Sequence, residues 1–194
     1  MLAIRHNVQN MNGSENGNTP MSTGRREKAP DKARTATCEM DKKFMREAIR
    51  LSIREMRRGR GGPFGAVVVR DGKILGRGCN QVTSANDPTA HAEIVAIRAA
   101  CKRLKTFQLD DCELYTSCEP CPMCLSAIYW ARLGHVYYAN TRKDAARIDF
   151  DDDFIYREVA LPIRRRKLKM KQLLREEALA AFAGWQRKPD KVLY

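Results

Sequence analysis

Two short segments constrain this chain more than anything else in it: His91-Ala92-Glu93, and Pro120-Cys121-Pro122-Met123-Cys124 further on. Two cysteines three positions apart at a helix start can turn both sulfurs to one point, where the helix dipole favours thiolates. A histidine at a neighbouring helix end supplies a third ligand. His91, Cys121 and Cys124 are therefore the expected ligands of a zinc ion, and three protein ligands leave a tetrahedral zinc one open position for water, as catalytic sites do. Glu93, two positions from His91, is better suited to handling protons than to completing the metal shell. It is the expected general acid and base.

Cys118 stands three positions before Cys121 and offers the opposing reading, a closed structural site of three cysteines and a histidine. That arrangement leaves Glu93 without a role. The remaining cysteines, Cys38, Cys79, Cys101 and Cys112, read as tail or core thiols. Seven cysteines, an odd number with four of them between positions 112 and 124, make a poor disulfide framework, so reduced thiols and a cytoplasmic location are expected. No run approaches the roughly 18 apolar residues of a membrane helix, and residues 1–10 lack an apolar signal core.

Charge sets a further bound. Lys and Arg number 36 against 23 Asp and Glu, a net +13 that suits polyanionic partners. Its densest run, Arg164 to Lys171, alternates apolar and charged residues through Lys167-Leu168-Lys169-Met170-Lys171, as on a half-buried strand whose outward lysines discourage edge pairing. No base-stacking aromatics interleave with it, so a nucleic-acid groove is the less favoured reading.

Residues 1–39 are rich in Asn, Gly, Ser and Thr and lack apolar periodicity, as expected of a disordered tail, with Met40 a candidate start of synthesis. The domain is expected over 40–194. Met45, Ala48, Ile49, Ser52, Ile53 and Met56 suggest one helical face, ended by Gly59 to Pro63. Strands are expected at 64–70 and 73–80 around an Asp71-Gly72 turn, and at 113–117, 135–140 and 167–173; helices at 90–104, 121–133 and 174–187. Strands alternating with helices indicate an α/β sandwich.

The His-x-Glu and Pro-Cys-x-x-Cys segments match the signature of zinc deaminases. The likeness extends to Gly61-Gly62-Pro63-Phe64-Gly65-Ala66-Val67, to Asn86-Asp87-Pro88-Thr89-Ala90 ahead of His91, to Tyr115-Thr116-Ser117-Cys118-Glu119 ahead of Pro120, to Ala127-Ile128-Tyr129-Trp130-Ala131-Arg132 and to Phe150-Asp151-Asp152-Asp153-Phe154-Ile155-Tyr156. Here the chain resembles the cytidine deaminase superfamily and, within it, the bacterial guanine deaminases. The resemblance implies a three-layer α/β/α sandwich with a mixed five-stranded sheet, and zinc-dependent deamination of a free nucleobase, guanine first. It implies that Phe64 packs on the purine, Asn80 bonds to it, Trp130 walls the pocket, and Asp152 contacts the base and assists proton transfer. It also implies a homodimer whose carboxyl-terminal segments are exchanged, so that Trp185 and Tyr194 act on the partner's site. Taken singly, Phe64 and Trp130 read as core aromatics and Asn80 as a turn residue. The rival functions are a tRNA adenosine deaminase, a guanosine or cytidine deaminase, and a non-catalytic zinc-stabilised RNA-binding module, which would have no need of Glu93.

Overall fold

The Asp71-Gly72 turn closes as its residues demand, with φ of 50° and 69° at the two positions. It joins β1 (Gly65–Arg70) to β2 (Lys73–Cys79) in antiparallel register, from Gly65 opposite Cys79 to Arg70 opposite Lys73. These elements belong to a computed structural model that describes residues 32–193, with side chains from Glu39 onward. β1 also pairs antiparallel with β3 (Glu113–Cys118), which pairs in parallel with β4 (His135–Asn140). The sheet order is β2-β1-β3-β4, a mixed sheet.

Alternation along the strands assigns its two faces. Val67, Val69 and Tyr115 turn to one side, where Phe44 and Leu51 of α1 (Lys32–Arg57) cover them. Ala66, Val68 and Leu114 turn to the other, against Ala92, Ala96 and Ile97 of α3 (Ala92–Leu104) and Ile128 of α4 (Pro122–Trp130). Helix, sheet and helix form the three expected layers. The other α-helices of the described residues are α2 (Val82–Ala85), α5 (Arg142–Ala146), α6 (Asp153–Ala160) and α7 (Arg175–Arg187).

Contact between layers is close enough to dictate glycine. A Cβ on Gly65 would lie 2.4 Å from the Ala48 carbonyl oxygen of α1, and one on Gly78 would lie 2.0 Å from the Ala92 carbonyl oxygen of α3. The second contact matters for function, because Ala92 separates His91 from Glu93. The sheet thus holds the backbone between the two at van der Waals range.

Three expectations need correction. The sheet has four strands: Lys167–Leu173 forms no ladder, and Leu168, Met170 and Leu173 are all exposed. Alternation says that one face of a segment needs cover; it does not say that its own chain provides the neighbouring strand. The first helix begins at Lys32, ahead of the expected boundary at Met40, while residues 1–31 of the expected tail lie outside the described residues. Its buried face is Phe44, Ala48, Leu51, Ser52 and Glu55, leaving Ile53 and Met56 exposed. That is a rotation of one residue, about 100°, from the expected stripe. Both stripes fit the helical period and share Ala48 and Ser52; the packing of Phe44 and Leu51 against Val67, Val69 and Tyr115 selects between them. Among the described residues no helix is long and apolar enough to cross a membrane.

Candidate metal and nucleobase site

Two helix starts meet at one end of the sheet. His91 is the N-cap of α3, with extended backbone at φ −69° and ψ 157°, and Glu93 lies in its first turn. Cys121 is the N-cap of α4, again extended, Pro122 opens that helix, and Cys124 follows within its first turn. Proline suits the first helical position because no intrahelical bond is lost there. Both dipoles therefore present positive ends to the same point.

The ligand atoms converge. His91 Nδ1 lies 3.5 Å from Cys121 Sγ and 3.5 Å from Cys124 Sγ. With zinc–sulfur and zinc–nitrogen bonds of ordinary length, a tetrahedral ion needs a nitrogen–sulfur separation of about 3.6 Å. Both nitrogen–sulfur separations fit zinc. It is the one group of metal-ligating side chains of this kind among the described residues. Cys118 stays outside it: its thiol donates to the Thr141 carbonyl at 3.7 Å, and burial pushes it up to about 11.

Charge at the trio is unevenly held. The Cys121 thiol is drawn down to about 4, chiefly by its hydrogen bond with Cys124, against burial and with help from His91. The same bond to Cys121, with burial, raises Cys124. His91 is raised, first by its hydrogen bond with Cys121. One thiolate thus persists well below neutrality, which favours capture of a cation.

Glu93 is 6% exposed, and burial raises its carboxyl above the usual range. Thr116 Oγ1 of β3 donates to its Oε1 at 3.2 Å, and Cys124 Sγ donates to its Oε2 at 3.5 Å. The carboxyl is fixed beside the ligands, in a setting that makes protonation easy.

A cavity of about 440 Å³ opens over these groups, bordered by His91, Glu93 and Cys121 together with Phe64, Asn80 and Asp152. Asn80 is 6% exposed, and its Oδ1 accepts from the backbone amides of Gly62 and Val82, each at 3.2 Å. Its acceptor is spent on the chain, so its amide hydrogens are the groups left for a ligand. Burial raises the carboxyl of Asp152, at the N-cap of α6. Trp130 is not brought to the cavity: it ends α4 at 66% exposure, because that helix turns its Ile128 face to the sheet. Tyr194 lies outside the described residues.

Three cavity residues, Phe150, Arg142 and Glu119, escaped sequence reasoning. Phe150 meets Phe64 edge to face at 4.9 Å and 87°, and a Cβ on Gly62 would come within 3.0 Å of its ring. Its signal was an aromatic immediately ahead of Asp151-Asp152-Asp153. Arg142 follows the end of β4, and Glu119 follows the end of β3. Residues beyond the carboxyl ends of adjacent parallel strands are favoured ligand positions, but that signal needs the pairing of β3 with β4 to be known.

Residues 38–140 match the family model for the cytidine and deoxycytidylate deaminase zinc-binding region. The chain is 52% identical over 151 residues to guanine deaminase of Bacillus subtilis (strain 168), covering 78% of this chain and 97% of that protein. It superposes on the X-ray structure of guanine deaminase from Bacillus subtilis with a TM-score of 0.77 at 52% identity, over 79% of this chain and 98% of that one. The tRNA-specific adenosine deaminase of Aquifex aeolicus (strain VF5) is 42% identical over 96 residues, 50% of this chain and 63% of the enzyme.

Proposed function

Because the chain belongs to the family that carries the cytidine and deoxycytidylate deaminase zinc-binding region, we propose that it hydrolyses guanine to xanthine and ammonia. The observation that carries this reading is the placement of Glu93 and the His91, Cys121 and Cys124 trio beneath a cavity bordered by Phe64, Asn80 and Asp152. The likeness to the Bacillus subtilis enzyme spans nearly all of that protein, whereas the likeness to the tRNA enzyme covers 63% of it.

His91, Cys121 and Cys124 would hold zinc, a Lewis acid that would make water nucleophilic near neutral pH. Glu93 takes the proton released as water adds to the amino-bearing ring carbon and delivers it to the adjacent ring nitrogen. Collapse breaks the carbon–nitrogen bond, with Glu93 and Asp152 placed to protonate the departing amine. Phe64 packs against the flat of the base, its orientation fixed by the edge of Phe150. Asn80 donates to a ring acceptor through its amide.

The carboxyl-terminal segment supports a homodimer with exchanged ends. α7 buries none of its residues, and Leu179, Phe182, Trp185, Val192 and Leu193 are exposed. So much apolar surface on one arm calls for a partner. A second copy of the chain provides it, bringing Tyr194 over the cavity to exclude water. Reduced thiols throughout the described chain suit the cytoplasm. The test is ammonia release from zinc-loaded protein offered guanine, adenine, guanosine, cytidine and tRNA. Guanine should be consumed with xanthine as the product, and release from tRNA alone would overturn the reading.

A further inference from the structure

Asp152 sits at the start of a helix with little of its own to hold it. α6 buries no residue, and its apolar side chains Phe154, Ile155 and Val159 are exposed. Yet Asp152 must keep a fixed distance from the metal ligands if it is to meet the amine that leaves. Upstream, the loop is fastened through Phe150 against Phe64. Downstream, one side chain of α6 turns back toward the segment that carries Cys121. Tyr156, half-buried and one helical turn beyond Asp152, donates its hydroxyl to the carbonyl of Pro120 at 2.8 Å. Pro120 immediately precedes Cys121.

That bond ends a chain of contacts that ties three separate segments together. The Glu119 amide donates to the Asn140 carbonyl at 2.8 Å, and the Arg142 amide donates to Glu119 Oε2 at 3.0 Å. The Arg142 guanidinium then lies over the Tyr156 ring, 4.8 Å from its centre. Tyr156 is thus gripped on its face by one loop while its hydroxyl grips another.

We infer that Tyr156 is a positioning residue, which holds Asp152 in register with the metal ligands by anchoring α6 to the carbonyl that precedes Cys121. This rests on the proposed part of Asp152 in guanine turnover. Tyr156 itself touches neither base nor metal; it sets where Asp152 stands.

The experiment is a cycle of Tyr156→Phe, Asp152→Asn and the double variant, in zinc-loaded full-length chain, with kcat and KM for guanine measured for each. Phenylalanine keeps the ring that Arg142 covers and removes only the anchoring hydroxyl. Tyr156→Phe should lower kcat about tenfold with KM changed less than about twofold, since sub-ångström misplacement of a reacting group acts on the rate. In the Asp152→Asn background the same change should cost less than about twofold, because it acts through a carboxyl no longer there. Equal losses in both backgrounds would mean a general structural role and overturn the inference. If Asp152→Asn leaves turnover intact, the reading of Asp152 and the inference fall together. Backbone hydrogen exchange reads the anchor independently of activity: residues 150–157 should exchange about tenfold faster in Tyr156→Phe while β1 and α3 do not change. Unaltered exchange there would show that the hydroxyl holds nothing, with guanine turnover in the parent chain left standing.

Discussion

The metal end of the sandwich and the carboxyl-terminal arm are built on opposite terms. At the metal end the three ligands and Glu93 are placed by backbone that the chain itself buries: the N-caps of α3 and α4, β3 beneath Glu93, and β2 against Ala92. Along residues 153–193 large apolar side chains stand in the open, with Phe182 at 72% exposure, and no helix buries a residue. A set of ligands fixed by one chain's own backbone is legible and testable in one chain. A segment that leaves its apolar face uncovered has no packing of its own from which a function could be read.

The largest effects should fall at the metal end. Glu93→Gln keeps the shape and the bond from Thr116 but cannot carry a proton, so turnover should fall at least about a thousandfold with one zinc per chain retained. Metal analysis beside the ammonia assay separates this from ligand loss. Cys121→Ala should lose the metal, while Cys118→Ala should keep it, because the Cys118 thiol is engaged with Thr141. Metal loss in Cys118→Ala equal to that in Cys121→Ala would restore the closed structural site and erase the contrast between the two regions.

Next in size is removal of Val192 to Tyr194, the end of the arm. Guanine turnover should fall by about ten- to a hundredfold with zinc content preserved, since an opened site readmits water. Mixing this shortened chain with Glu93→Gln chains tests whether the arm serves its own site or its partner's. In an equal mixture of freely exchanging dimers about a quarter of the sites would join an intact Glu93 to a donated arm, and activity should return to that level. No recovery after demonstrated exchange of subunits would place the arm on its own chain.

The same contrast explains what could be read beforehand. His91, Glu93, Cys121 and Cys124 were legible because metal chemistry demands residue types at set spacings, and helix N-termini need only local sequence to form. The Asp71-Gly72 turn and the four paired strands followed from local rules as well. The register of α1 did not, since Ile53 and Met56 complete an apolar stripe as well as Phe44 and Leu51 do, and only the packing of the latter pair against Val67, Val69 and Tyr115 decides. Lys167–Leu173 shows the limit most plainly: its alternation is real, yet no strand among the described residues pairs with it. Trp130 was assigned to the pocket by resemblance, and the packing of Ile128 turns it outward instead.

A smaller effect should come from Phe182→Glu in the middle of α7. If the exposed face of that helix is covered by a second copy, a buried charge weakens the pair while leaving each metal site intact. Sedimentation should show dissociation at a concentration at least about tenfold higher than for the parent, and specific activity should fall on dilution with zinc content constant. A monomeric parent chain with full activity would dissolve the distinction between the two ends.

The smallest effect is expected where the charge is greatest. Arg164, Arg165, Lys169 and Lys171 lie exposed on the arm, and a polyanionic substrate would feel them strongly. Neutralising phosphates releases counterions, so a ligand with six to ten such contacts loses about a thousandfold or more in affinity between roughly 50 and 200 mM salt. Guanine is uncharged near neutrality and gains nothing from a basic field. Replacing Arg164, Arg165, Lys169 and Lys171 together by glutamine should therefore change kcat/KM for guanine by less than about twofold, and turnover by the parent chain should be nearly flat over the same salt range. A steep fall with salt, abolished by the same four substitutions, would make the arm a nucleic-acid contact and would shift the substrate from the free base to a base carried on RNA.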